Sequence, residues 1–423
     1  MKKTRLYQKT LLAVAIGLVT QQASAAGFQL NAQSATGLGR AFAGDAVIAD
    51  NASSMARNAA TMALFDKKAL SLGVETITTK IDVKNATYNG AIPIDDVDDA
   101  GSTSIAPNFH LIVPVNNTFA WGVSAYTNFG TKTEFSDDYI ASEYGGKTDL
   151  KSLNLGLAGS YRLNQQWSFG AGIDVIYGQG TLQRYASKTI AQASSLKLGS
   201  TVPTGTALVD VDKADGWAVG FNLGTVYEVD ENNRFGLAYH YSPRFTAKDD
   251  YGQKITLPLP DIAEFSGFHK IKDTKFAVHY SIQWIGWDSF DNIDFDNLDA
   301  RQSPLVRATS GTSYKKPYQW HDGWHYSIGG TYYMTEALTL RAGYMYDTSA
   351  QDQLTSISVP DSDRQWFSAG VGYKLSKNST IDFGATYLLG DNEDVTEKGS
   401  GTVLTATTKA DAILLGLQFS HTF

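Results

Sequence analysis

Hydrophobic positions alternate with small or polar ones along most of the chain. Leu153, Leu155, Leu157, Tyr161 and Leu163 share one face of a period-two pattern, and Asn154, Gly156, Ala158, Ser160 and Arg162 share the other. Trp217, Val219, Phe221, Leu223, Tyr227 and Val229 likewise oppose Ala218, Gly220, Asn222, Gly224 and Glu228. The same period runs through 169–177, 276–284, 324–332, 338–346, 367–375 and 381–389. Successive side chains of a strand point to opposite faces, so each segment predicts a strand with one apolar and one small or polar face.

Such strands suit a soluble sandwich with the apolar face inward, or a membrane barrel with it outward. Three features favour the barrel. The polar face carries Arg162, Asp174, His279, Arg341, Asp347 and Asp382, which fit a wet lumen. Aromatic residues gather at strand ends, at Tyr161, Trp167, Tyr177, Tyr227, Phe235, Tyr332 and Tyr373, where membrane interfaces lie. Connections alternate between short turns, such as Asn116-Asn117 and 164–166, and long loops, near 86–104, 132–150, 183–213, 248–261, 290–320, 348–362 and 390–405. These connections divide the chain into about fourteen strands. The last segment, ILLGLQFSHTF, ends on Phe423 in strand register. The fold class is all-β: a transmembrane antiparallel barrel.

Composition sharpens this. Lys2, Lys3, Arg5 and Lys9 precede a short apolar run, Leu11 to Val19, and Ala23-Ser24-Ala25 has the form of a cleavage site; residues 1–25 read as a secretion signal. No later run is apolar and long enough for a membrane helix. There is no cysteine, which removes thiol chemistry and cysteine-held zinc. A net charge of −8 argues against a nucleic-acid partner. GLGRAFAG, 37–44, lacks dinucleotide-site spacing, and no G-x-S-x-G occurs. No cofactor or metal is called for, and no enzyme; the acidic run IDDVDDA, 94–100, reads as a solvated loop rather than as a divalent-ion site shared with lipopolysaccharide.

A barrel of this width would leak if empty. About forty residues before a first strand near Ala69 do not alternate, and they are rich in Ala and Gly. Residues 26–67 are expected to fold into the lumen as a plug, with Arg40, Asp45, Asp50, Arg57 and Asn58 bonding to lumen-facing charges. The barrel then occupies 68–423.

The stretch AGFQLNAQSATGLGRAFAGDAVIADNASSMARNAATM resembles the N-terminal hatch of the FadL family of outer-membrane long-chain fatty-acid transporters. WGVSAYTNFGTKTEF, SYRLNQQWSFGAGIDVIY, VYEVDENNRFGLAYHYSPR, ITLPLPDIAEFSG and SISVPDSDRQWFSAG follow in order and extend the resemblance over most of the chain. It implies a fourteen-stranded barrel plugged by a hatch, passive uptake, and a monomer in outer-membrane lipid. Monoaromatic hydrocarbons, carried by related members, are the alternative cargo; a general porin is a weaker one. Two departures are visible. Asn58-Ala59-Ala60 replaces the family's Asn-Pro-Ala, and the loops at 183–213 and 248–261 look short.

The resemblance implies an apolar pocket with a basic group for the carboxylate. The matching positions are Arg184 and Lys316, with Thr127 adding a hydroxyl, Asp347 a lumen charge, and Phe28, Leu38 and Phe42 as hatch contacts. Alternation fails after Ser124, with Asn128 and Gly130 as weak points, and a strand glycine often marks a bulge. In the family an inward kink here opens the wall. Tyr126, Asn128, Phe129 and Gly130, with Asn58 in the hatch, are therefore expected to form a lateral gate.

Overall fold

The computed structural model describes residues 27–298, 312–351, 354–399 and 401–423. The expected signal segment, 1–25, and Ala26 lie outside the described residues. Fourteen antiparallel strands form the wall: β1 (Ala69–Tyr88), β2 (Thr103–Pro114), β3 (Phe119–Glu134), β4 (Lys147–Arg162), β5 (Trp167–Tyr185), β6 (Ala207–Glu228), β7 (Asn233–Tyr241), β8 (Ile262–Lys270), β9 (Phe276–Ile285), β10 (Gly323–Tyr332), β11 (Leu338–Asp347), β12 (Arg364–Lys374), β13 (Ser379–Gly390) and β14 (Thr402–Thr422). Each pairs with the next, and β14 pairs with β1 from Ala69 opposite Thr422 to Tyr88 opposite Leu404, so the sheet closes.

The period-two pattern is inside out relative to a soluble protein. Leu157, Ile173 and Leu237 are more than half exposed, while Asp174, Glu264, His279 and Gln283 are buried in the lumen. Lipid replaces water around the outer face, and closure pairs the strand edges in it except between β2 and β3 beyond Ala125. Ring pairs line the outer surface near the short turns, as in Phe119–Tyr161 at 5.1 Å, Trp167–Tyr227 at 4.6 Å and Phe276–Tyr332 at 4.6 Å. Three short turns are built alike: the Asn116, Asn164 and Asp230 side chains each accept two backbone N–H groups just ahead of them. This is the Asx turn, which explains these residue types there. At the opposite end the loops carry structure of their own, including a helix at Lys188–Leu198 and hairpins that pair 244–248 with 254–258 and 292–296 with 313–317.

Residues 27–64 sit inside this cylinder, and Asp66 and Lys67 emerge exposed at its short-turn end. Short helical turns at Ala35–Leu38, Ala52–Ala56 and Ala59–Leu64 are capped by the Ser34, Asn51 and Asn58 side chains. Polar lumen groups hold the segment around the ring: Ser71 on β1 accepts from the Ala52 amide, His110 on β2 meets the Gln33 carbonyl, and Ser281 on β9 accepts from the Gly44 amide. Lumen-facing glycines let the backbones touch. A Cβ at Gly343, Gly384 or Gly236 would collide with the carbonyls of Arg40, Ala35 and Ala46. Small residues on the polar face thus mould the wall to the plug.

The plug's charges are placed differently from the expectation in part. Arg40 is spent inside the segment, on Asp45 and Asp50, both at 2.7 Å. Its backbone is compact enough that its own carboxylates lie nearer than the wall. The wall is reached through Asp50 to Arg341, through Arg57 to Glu264, and through Asn58, whose Nδ2 donates to Ala46 O and Thr225 O.

Candidate ligand cavity and lateral window

Arg184 ends β5, and Lys316 lies on the loop hairpin at 313–317. Both line one cavity of about 480 Å³ at the long-loop end. Leu182, Ile190, Val209, Phe295, Leu298 and Tyr318 supply its apolar walls. Residues from 182–209, 295–298 and 314–318, together with 354–356 and 396–399, line it.

The two cations differ. Arg184 is buried, and its guanidinium donates to Lys147 O, Gln183 O and Thr148 Oγ1 at 2.7–2.8 Å, all of them neutral acceptors. Its charge therefore has no carboxylate within ion-pair distance among the described residues. Lys316 Nζ lies 3.6 Å from Glu397, within 3.4 Å of the Ser356 and Ser358 hydroxyls, and 5.1 Å from the centre of the Tyr318 ring. Burial disfavours its charge, but Tyr318 and Glu397 outweigh that and hold its pKa above the ordinary 10.5. The site can pair a buried anion with one unmatched guanidinium and one shared ammonium.

An apolar cluster leads inward from the cavity. Phe295, Tyr318, Phe290, Trp320, Trp287 and Phe28 belong to it, as does Phe129 on β3. Phe28 contacts Trp287 at 4.6 Å, Phe290 at 5.2 Å and Phe129 at 6.2 Å between ring centres.

At Phe129 the wall is irregular. Tyr126 faces Asn154 on β4, and the next pair is Gly130 with Lys151, so β3 spends one residue more than its partner. This bulge lies within 126–130. On the other side β2 pairs with β3 only from Phe109 opposite Ala125 onward to the short turn. Beyond Ala125 the plug takes over: Gln29 lies opposite Phe129, and Ala32 opposite Thr127. The Gly130 amide donates to Phe28 O at 2.8 Å, and the Tyr126 hydroxyl reaches Ala56 O. Asn128 accepts from the Ser152 hydroxyl. The wall between β2 and β3 is thus open at this height, with plug residues behind the gap.

Of the residues expected around the ligand, the structure brings Arg184, Lys316 and, through the aromatic cluster, Phe28 together. Four others lie outside the cavity. Thr127 is in the bulge, with its hydroxyl buried and unpartnered among the described residues. Asp347 is a fully buried lumen carboxylate, 3.2 Å from His325 and 3.9 Å from Arg364. Leu38 and Phe42 pack in the plug against Trp366, Ile77 and Ala106. Sequence reasoning missed Glu397, Trp287, Phe290 and Trp320. The aromatic density of WIGWDSF and YQWHDGW in a long loop was a usable signal for the last three; nothing marks Glu397 out from other loop acids.

The comparisons with known proteins agree. The family described as outer membrane protein transport protein (OMPP1/FadL/TodX) matches residues 16–423. The chain belongs to this family. A long-chain fatty acid transport protein of Escherichia coli O6:H1 is 34% identical over 462 aligned positions, covering 100% of both chains. A Pseudomonas aeruginosa FadL homologue superposes with a TM-score of 0.82 at 21% identity, over 94% of this chain and 99% of that one. The Pseudomonas putida toluene transporter TodX gives 0.67 at 19% identity, over 88% and 94%. These FadL/TodX channels share the closed barrel and an outer-membrane setting.

Proposed function

We propose that this FadL-family protein takes up long-chain fatty acids across the bacterial outer membrane. The observation that carries the reading is the pair Arg184 and Lys316 at the head of an apolar path that runs through Phe28 to the bulge in β3. A fatty acid needs both parts. Its carboxylate pairs best with a guanidinium, and each buried CH₂ adds about 0.8 kcal/mol. The name of the Escherichia coli relative points the same way.

In this reading the chain is exported with a cleaved signal and works as a monomer in outer-membrane lipid beside lipopolysaccharide. Transport is passive, with no cofactor and no catalysis. Ligand enters from the long-loop side, rests against Phe28, and leaves sideways between β2 and β3 when the plug withdraws from Tyr126, Asn128, Phe129 and Gly130. Lateral exit is physically favoured, because an acyl chain gains from lipid what it would lose in periplasmic water. Asn58, which ties two plug turns to β6, is a pivot for that movement.

A second reading follows from the likeness to TodX: a neutral aromatic cargo held by Phe28, Trp287 and Phe290. Oleate and toluene binding to the purified protein, with Arg184→Ala and Lys316→Ala beside the wild type, separates the two. A charge-assisted bond is worth about 1.5–3 kcal/mol, so Arg184→Ala is expected to weaken oleate about tenfold or more and leave toluene unchanged. Toluene binding alone, indifferent to both substitutions, would move the cargo to neutral hydrocarbons.

A further inference from the structure

A second cavity, of about 530 Å³, opens at the short-turn end beneath the plug. Arg162 and Arg234 line it, along with Glu228, Asp66 and Asn117. The two arginines are used differently. Arg162 donates to Ala63 O in the last turn of the plug at 2.9 Å and pairs with Glu228. The Arg234 guanidinium lies over the Phe268 ring, 5.0 Å from its centre. It makes no hydrogen bond or ion pair with any described residue, and its Nε is buried without a partner.

An arginine packed on a ring keeps its donor fork rigid and in one plane. A buried donor left unmade costs free energy comparable to a lost hydrogen bond. Glu228, opposite Arg234 in the strand register, is bonded to Arg162 instead, and Asp66 lies on the exposed rim. We propose that Arg234 is the anchor of a small-oxyanion site, for a carboxylate or a phosphate, in this vestibule. Two parallel N–H···O bonds from Arg234 would seat the anion. It would sit beside the Arg162–Glu228 pair, so its charge would compete with Glu228 for Arg162 and thereby bear on the contact that holds Ala63. The site is separate from the Arg184–Lys316 cavity, which lies at the other end of the barrel.

The test is calorimetric titration of the detergent-solubilised full chain with inorganic phosphate and, separately, with acetate, for wild type, Arg234→Gln and Asn117→Asp. Saturable binding of either probe, weakened at least tenfold in Arg234→Gln, is the expected result, and the two probes tell phosphate from carboxylate preference. Asn117→Asp adds a negative charge on an exposed turn and is expected to weaken binding several-fold even if Arg234→Gln folds poorly. Failure of both probes to bind the wild type would overturn the proposal, as would binding that ignores both substitutions.

Discussion

The Gly130 amide donates to the Phe28 carbonyl at 2.8 Å, so at this height a plug residue completes the hydrogen bonding of the barrel wall. The strand ladder that β2 abandons after Ala125 is continued by Gln29–Ala32. The gap and its stopper are therefore one hydrogen-bonded unit, and bulk placed there acts on passage without touching the cations. Gly130→Trp is expected to reduce oleate uptake by whole cells about tenfold or more and to leave oleate affinity of the pure protein within about twofold, since a misplaced bulky group in a packed site costs about 1–3 kcal/mol. Unchanged uptake would remove the window from the mechanism.

Glu397 competes with any incoming carboxylate for Lys316. Glu397→Gln keeps the acceptor that takes the Ile357 amide and removes the charge. Oleate is expected to bind several-fold tighter, in keeping with about 1 kcal/mol for a partly screened ion pair. Tryptophan fluorescence titration measures it, and weaker binding would mean that Glu397 positions Lys316 rather than opposing ligand.

The same pair sets an alkaline limit. The raised pKa of Lys316 means that its charge, and the stability it contributes, is complete below 10.5 and is lost only as pH rises through the higher folded value. Oleate affinity in the wild type is expected to stay level up to pH 10.5 and to fall only above it. In Glu397→Gln, which removes one of the groups holding the pKa up, the fall should begin at lower pH. Identical profiles for the two proteins would rule out the coupling.

Much of the wall was legible in the sequence. Period-two alternation placed the strands, and the Asn and Asp of the short turns placed their ends, because both patterns follow from local backbone geometry. The failure of alternation after Ser124 marked the bulge for the same reason. Arg184 and Lys316 were reachable through resemblance alone, and their convergence depends on two loops folding over one another. Asp347 shows the limit: it is the lumen charge expected, yet its partners are His325 and Arg364 rather than the residues that line the cavity. The path of the plug was not legible, since its short capped turns have no period.

The glycine contacts give a sharper test of the plug. Gly343→Val would force a side chain into the Arg40 carbonyl. Overpacking of this kind costs about 1–3 kcal/mol, and the plug is the element free to yield. Ionic conductance in planar bilayers is expected to rise while the barrel stays folded; conductance equal to wild type would mean that the wall yields instead.

A long seam joins the first strand of the barrel to its last, from Ala69 opposite Thr422 to Tyr88 opposite Leu404. Nothing in β1 can complete its ladder on that side until the final residues of the chain have been made. Ala35 touches Gly384 and Gly416 from within, and Ser34 bonds to Gln418 on β14 itself. The strand that shuts the cylinder is therefore also one that grips the plug, in the manner of a cask whose last stave bears on its contents. Loops joining distant parts of a chain make such closure slow. For this protein the seam that joins the two ends of the sheet is thus also where wall and seal meet.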